Sequence, residues 1–118
     1  MRSSDQVHQI KRKFPRKAFR KKVGLMSGGQ SASAQGLEIG EGGLSFSSDM
    51  ILNQNCKMIL SFFLSEDEFF SVRVTLLNSY RAGQEFHYGV SFDDVSIALK
   101  RQIRTYVART SVDSRNLN

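Results

Sequence analysis

Apolar and polar side chains alternate at every step of Phe70-Ser71-Val72-Arg73-Val74-Thr75-Leu76. A period of two directs successive side chains to opposite faces of a β-strand, so this stretch is predicted to be a strand whose apolar side chains lie in the core. Phe86-His87-Tyr88-Gly89-Val90-Ser91-Phe92 alternates in the same way. These two stretches predict a sheet with one buried face and one solvated face.

Shorter segments before them predict four further strands, at about Ala18–Met26, Gln35–Ile39, Leu44–Ser47 and Lys57–Leu64. The segments between the strands are rich in Gly, Ser and charged residues, a composition that favours turns: Ser27–Ser33, Gly40–Gly43, Glu66–Glu68 and Arg81–Gln84. Six short strands joined by turns predict a mainly β fold, a small six-stranded antiparallel β-barrel.

One α-helix is predicted after the last strand. Apolar residues recur at helical spacing at Val95, Leu99, Ile103, Tyr106 and Val107. Asp94 or Ser96 is the predicted N-cap residue, and the helix is expected to lie across the barrel. The apolar pattern is lost at Thr110, so residues 110–118 are predicted to form a flexible C-terminal tail.

The positive charge is concentrated at the N-terminus. The chain has 118 residues, of which 40% are apolar, and this is enough for a single globular domain. Nine of the 17 basic residues but only one of the eleven acidic residues lie in the first 22 positions, so that segment carries +8 and the remainder −2. Residues 1–10 are predicted to be a flexible arm and residues 11–109 the domain. The charge indicates an anionic partner and leaves nucleic acid, anionic lipid and a phosphorylated small molecule open.

No constellation of residues indicates catalysis. Neither His8 nor His87 has a nucleophile beside it by local spacing, and Cys56 lacks the paired spacing of a zinc site. Residues 40–43 lack the Lys-Ser/Thr ending of a phosphate-binding loop. The sequence therefore indicates a binding module that is not an enzyme and needs no metal or cofactor.

The sequence also predicts a cytoplasmic protein. No apolar run approaches 18 residues, and no apolar signal-peptide segment follows Met1. The single Cys56 cannot form an internal disulfide.

Two arginines four residues apart precede the first strand, in Lys11-Arg12-Lys13-Phe14-Pro15-Arg16. The planar guanidinium group binds phosphate oxygens bidentately and stacks on bases, which suits a nucleotide ligand. Further along the chain follow residues 38–46, with a glycine turn, and residues 87–92, which lead into the helix. Together these segments resemble the PilZ domain, a bacterial receptor module for cyclic di-GMP, over about residues 11–109.

The resemblance assigns roles to the basic residues. It implies that Arg12 and Arg16 hold the phosphates and guanine faces of cyclic di-GMP, with Lys11 and Lys13 as auxiliary charges. Arg20 is the reserve candidate for the second arginine of the pair.

The glycine turn departs from the family pattern Asp/Asn-x-Ser-x-x-Gly. With Gly43 aligned to the family glycine and expected to support a tight turn with positive φ, Glu38 replaces Asp/Asn and Gly40 replaces Ser. Glu38 keeps an acceptor one methylene further out, whereas Gly40 offers no hydroxyl. Each altered hydrogen bond changes binding by about 0.5–1.5 kcal/mol, so we expect an affinity about ten- to a hundredfold weaker than the full pattern would give.

Two functions follow from the resemblance. The first is a non-catalytic cyclic di-GMP receptor whose arginine arm orders on the nucleotide and changes a surface for an unidentified protein partner. The alternative is a degenerate domain that binds no cyclic di-GMP and acts as a protein-protein adaptor. General nucleic-acid binding is not expected, because the predicted strands lack the repeated aromatic and basic pattern of a base-stacking platform.

Overall fold

The computed structural model describes the backbone of residues 15–117 and the side chains of residues 15–109. Seven strands precede one helix: β1 (Arg16–Ala18), β2 (Lys22–Ser27), β3 (Gln30–Gly40), β4 (Gly43–Ser48), β5 (Lys57–Ser65), β6 (Glu68–Ala82), β7 (Glu85–Phe92) and α1 (Ile97–Leu117). The predicted arm, residues 1–10, lies outside the described residues.

Six of the strands close into the predicted antiparallel barrel. The sheet runs in the order β1-β3-β2-β5-β6-β7-β4, and β3 also pairs with β4. The ring is therefore β3-β2-β5-β6-β7-β4, in which every strand has two hydrogen-bonded neighbours. β1 is an additional strand, paired with β3 at the edge of this ring.

The alternating stretches supply the barrel core as predicted. Val72, Val74 and Leu76 of β6 are buried, and Phe70 packs against them partly buried. Phe19 and the inward side chains of the other strands complete one apolar cluster, which includes Ile39, Phe46, Leu60, Phe62, Tyr88 and Val90. Burial of these side chains is the main source of stability of the barrel.

The first predicted strand is divided in the structure. The sequence predicts one strand over about 18–26, whereas the chain forms β1 and β2 with a break at residues 19–21. Both pieces run beside β3, and the break stays attached to it through the Phe19 N–H, which donates to Leu37 O, and Lys21 O, which accepts from the Gly36 N–H. The break directs Phe19 fully into the core, an interaction that local alternation does not reveal.

Two predicted connections are shorter than expected. The turn at 27–33 contracts to Gly28-Gly29, with φ of 59° and 81°. Two successive residues with positive φ suit a two-residue hairpin, so β3 begins at Gln30. The connection at 81–84 likewise contracts, because β6 continues to Ala82 past an irregularity between Leu76 and Asn78.

The helix packs against β1, β3 and β5. Its Leu99, Ile103 and Val107 are buried, as the helical spacing predicted. Ser96 is the N-cap residue, since its Oγ accepts a hydrogen bond of 3.1 Å from the Leu99 N–H.

The C-terminal segment is helical further than the apolar pattern predicted. The backbone of α1 continues to Leu117, beyond Thr110, where the apolar pattern ends. The reason is that residues 97–117 contain neither Gly nor Pro, so nothing in the backbone stops the helix once its first turns are packed. No helix of the described residues is long and apolar enough to cross a membrane.

Candidate functional site

The β1–β3 pairing brings two predicted site residues together. Arg16 is opposite Gly40, and Ala18 is opposite Glu38. The Arg16 Nη1 atom lies 3.9 Å from Glu38 Oε1, and the two side chains are 44% and 47% exposed. An arginine from the basic segment before the first strand and a carboxylate from the glycine-turn segment thus form one accessible pair.

Gly40 lies against the chain that leads into β1. A Cβ atom on Gly40 would be 2.9 Å from the Pro15 carbonyl oxygen and 3.3 Å from Arg16 Cγ. The absence of a side chain therefore lets the Pro15 backbone rest on β3. A serine here, as in the family pattern, would require the lead into β1 to shift.

Gly43 is needed for a different reason from the one its turn suggested. It has no positive φ; among the glycines of residues 15–117, only Gly28, Gly29 and Gly83 do. A Cβ atom on Gly43 would instead overlap the carbonyl oxygen of Val90. Gly43 begins β4 opposite Ser91, so it permits the close contact at which β4 joins β7.

The other predicted basic residues are not part of the Arg16–Glu38 pair. Arg20 is exposed in the break between β1 and β2. Lys11, Arg12 and Lys13 lie outside the described residues.

Outward-facing residues form a first row across four strands. Glu38 of β3 is opposite Ser45 of β4, Ser45 is opposite Gly89 of β7, and Gly89 is opposite Asn78 of β6. The neighbours of Ser45 and Gly89 along their strands are buried in the core, which directs these two residues to the outside: Leu44, Phe46, Tyr88 and Val90.

A second row lies two residues further along β4, β6 and β7, and three residues further along β3, whose pairing is irregular between Gly36 and Glu38. Gln35 is opposite Ser47, Ser47 is opposite His87, and His87 is opposite Tyr80. We call the two rows together the polar face. The sequence motif identified Glu38 as a site residue but did not predict the other members of this set, because the pairing of β4 with β7 cannot be read from the local pattern.

The turn between β3 and β4 is bound to the helix. Arg104 Nε and Nη2 donate hydrogen bonds of 2.8 and 3.1 Å to the two carboxylate oxygens of Glu41. The Glu41 side chain is only 12% exposed. The hydrogen bond from Arg104 is the main reason that the pKa of the Glu41 carboxyl lies below its usual value of 4.5.

Replacing Arg104 by methionine is expected to make the barrel less stable in a pH-dependent way. Because the folded-state pKa of Glu41 is depressed, the pair stabilises the fold above about pH 4.5 and loses this effect as the pH falls through the folded-state value. The Tm of Arg104→Met should lie a few degrees below wild type at neutral pH, and the difference should shrink as the pH falls through the folded-state pKa of Glu41. Circular dichroism melts over a series of pH values measure this, with the exposed Arg101→Met as control. A difference that stays the same throughout the acid range would show that lost packing, not the ion pair, is responsible.

The described residues form a small closed antiparallel β-barrel domain that carries an accessible Arg–Glu pair beside the polar face. The family model of the PilZ domain matches residues 10–109. The chain therefore belongs to the PilZ domain family, as the sequence resemblance indicated.

Solved structures share this fold at low sequence identity. The inhibitor of motility MotI/DgrA of Bacillus subtilis is 12% identical, with a TM-score of 0.80 over 89% of this chain and 53% of that one. YcgR of Escherichia coli in complex with c-di-GMP is 12% identical, with a TM-score of 0.75 over 90% of this chain and 48% of that one. The MrkH-c-di-GMP complex of K. pneumonia is 13% identical, with a TM-score of 0.76 over 92% and 56% of the two chains.

This chain spans about half the length of these three proteins. No curated protein matches it in sequence.

Proposed function

We propose that the chain is a non-catalytic cyclic di-GMP receptor that acts in the cytoplasm. The observation that carries the proposal is the Arg16–Glu38 pair at the border of the polar face. These residues occupy two positions of the family's ligand motif, and membership of the PilZ family supports the ligand class.

The chemistry of the pair suits a nucleotide with two phosphates and two guanine bases. Arg16 offers a planar set of donors for phosphate oxygens and a face for a base, and Glu38 offers an acceptor for a guanine N–H. Both side chains are about half exposed, so a ligand can reach them without unfolding of the barrel.

The arm joins the described chain beside this pair. Pro15 rests on Gly40, and consecutive Cα atoms are about 3.8 Å apart. The Cα of Arg12 therefore lies within roughly 11 Å of the Pro15 Cα whatever the conformation between them. We propose that Arg12 and Arg16 close on the nucleotide together, with Lys11 and Lys13 adding charge.

Ordering of the arm is the proposed signal. Residues 1–14 contain four basic residues and one acidic residue, and a bound dianion would fix this segment against the barrel at a cost in conformational entropy. The ordered arm then presents a surface that a protein partner recognises.

A second candidate is the adaptor that binds no nucleotide. A group of exposed apolar side chains on the outside of β2, β5 and β6 favours it: Met26, Ile59, Phe63 and Phe69. Met26 is opposite Ile59, and the Phe63 and Phe69 ring centroids are 4.8 Å apart. Clustered exposed apolar residues of this kind mark protein-protein contacts.

Calorimetric titration with cyclic di-GMP separates the two candidates. The receptor is expected to bind with micromolar or weaker affinity, and Glu38→Asp should tighten binding about two- to tenfold, because the shorter carboxylate restores the family acceptor. Glu85→Asp, in an exposed position at the start of β7, is the matched control. Absence of heat at millimolar nucleotide and low salt, for both wild type and Glu38→Asp, would reject the receptor and favour the adaptor.

Glu38→Asp alone is preferable to a double change that adds Gly40→Ser. A Cβ atom at Gly40 would displace the Pro15 backbone, so a loss of binding in the double variant would have two explanations.

A further inference from the structure

Tyr80 is a large aromatic side chain held in solvent. It is 63% exposed, although it lies within the paired part of β6. Its hydroxyl is 2.9 Å from His87 Nδ1, and the two ring centroids are 5.0 Å apart in a T-shaped arrangement. The hydrogen bond and the ring contact fix the orientation of an exposed ring, which costs entropy without burying it.

Tyr80 lies at the far end of the polar face from the Arg16–Glu38 pair. Three steps between neighbouring strands separate β3 from β6, and at about 4.8 Å a step they span roughly 14 Å. The residues between are small, Ser45, Ser47 and Gly89, and Ser47 is buried. The polar face thus has charged groups at one end, small residues in the middle and an aromatic ring at the other end.

Asn78 adds a polar group to the aromatic end. A Cβ atom on Gly89 would lie 2.6 Å from Asn78 Oδ1, so the Asn78 amide occupies the space beside Gly89 that a side chain would fill. The Asn78 side chain makes no hydrogen bond to any other side chain or backbone group of the described residues. Its donors and acceptor are therefore available to the edge of a base.

We infer that Tyr80 stacks on one guanine base of the bound nucleotide, with the Asn78 amide at the edge of that base. The inference rests on the proposed function and extends it to the opposite end of the site. An oriented aromatic ring suits a base because stacking needs only a π-face, and the hydrogen bond to His87 already holds the ring in place. Such a contact also offsets part of the affinity lost through Glu38 and Gly40.

Three variants of Tyr80 test the inference by calorimetry with cyclic di-GMP. Tyr80→Ala is expected to weaken binding about five- to a hundredfold, the range for removal of one base-stacking ring. Tyr80→Phe keeps the ring and should stay within a few-fold of wild type. Phe69→Ala, which removes another exposed ring from the outside of β6, should leave the affinity unchanged.

Fluorescence of Tyr80→Trp provides a direct readout of stacking. The chain contains no Trp, so the introduced indole is the sole Trp emitter. Saturating cyclic di-GMP should quench its emission, whereas Phe69→Trp should not respond. If wild type binds the nucleotide but Tyr80→Ala binds equally well and Tyr80→Trp emission is unchanged, the stacking role is wrong and the receptor function stands. If wild type does not bind, the receptor function itself fails, and the stacking role with it.

Discussion

Arg16→Ala is expected to lower the affinity for cyclic di-GMP at least about a hundredfold. A hydrogen bond between charged groups contributes about 1.5–3 kcal/mol, and a bidentate guanidinium–phosphate contact supplies two of them. The loss has a second cause, because Glu38, 3.9 Å from Arg16 in the free protein, would face the anionic ligand without its partner. Calorimetry at low salt measures the change.

The fold should survive this substitution. The pair is about half exposed on both sides, and such surface pairs contribute at most about 1 kcal/mol to stability. Arg101→Ala removes the same charge from an exposed position on α1 and should change the affinity little. Unchanged affinity in Arg16→Ala would indicate that Arg20, not Arg16, is the second arginine that binds the nucleotide.

Gly43→Ala is expected to destabilise the barrel by about 3 kcal/mol and to lower the Tm by more than about 10 °C. The added Cβ would overlap the carbonyl oxygen of Val90, and that atom belongs to a strand which cannot move independently. β4 joins β7 to β3, so separation at this point opens the ring and exposes core residues such as Phe46. Thermal and urea unfolding followed by circular dichroism measure the loss.

Gly24→Ala is the matched control for this prediction. A Cβ on Gly24, which lies in β2, would have its nearest neighbours at Ser61, 3.8 Å away, an ordinary contact. This variant should be as stable as wild type or slightly more stable, because alanine loses less backbone freedom than glycine on folding. Equal stability of Gly43→Ala and wild type would mean that β4 and β7 are not held at the described separation.

Much of the barrel could be predicted because the alternation of apolar and polar residues along a strand shows which of its side chains are buried. A period of two in β6 and β7 identifies which side chains point inward, and the core at Val72, Val74, Leu76 and Val90 confirms this. The break at Phe19 could not be predicted in the same way. Lys21 beside it looks like a solvent-facing strand residue, yet its Nζ donates to Leu64 O and lies 5.6 Å from the Tyr106 ring centroid. Those partners are distant in sequence, so only the closed fold supplies them.

Some residues of the candidate site could likewise be predicted from the sequence, and others could not. Arg16 and Glu38 could be proposed from a motif because the family pattern fixes both positions. Gly43 could be singled out, but the physical reason given for it was wrong, because a turn composition suggests a positive φ whereas the constraint comes from Val90. Tyr80 and Asn78 carry no local signal, since an exposed polar or aromatic residue on a strand is common.

The sequence by itself determined the family, the barrel, the closing helix and the concentration of positive charge in the first 22 residues. These depend on periodicity, composition and motif spacing, which are properties of neighbours along the chain. Only the tertiary structure decided that Arg16 reaches Glu38, that Arg104 holds Glu41, and that Tyr80 faces the same surface as Ser45. These contacts depend on which strands pair and in which register, and a register is set by packing of the whole ring rather than by any one segment.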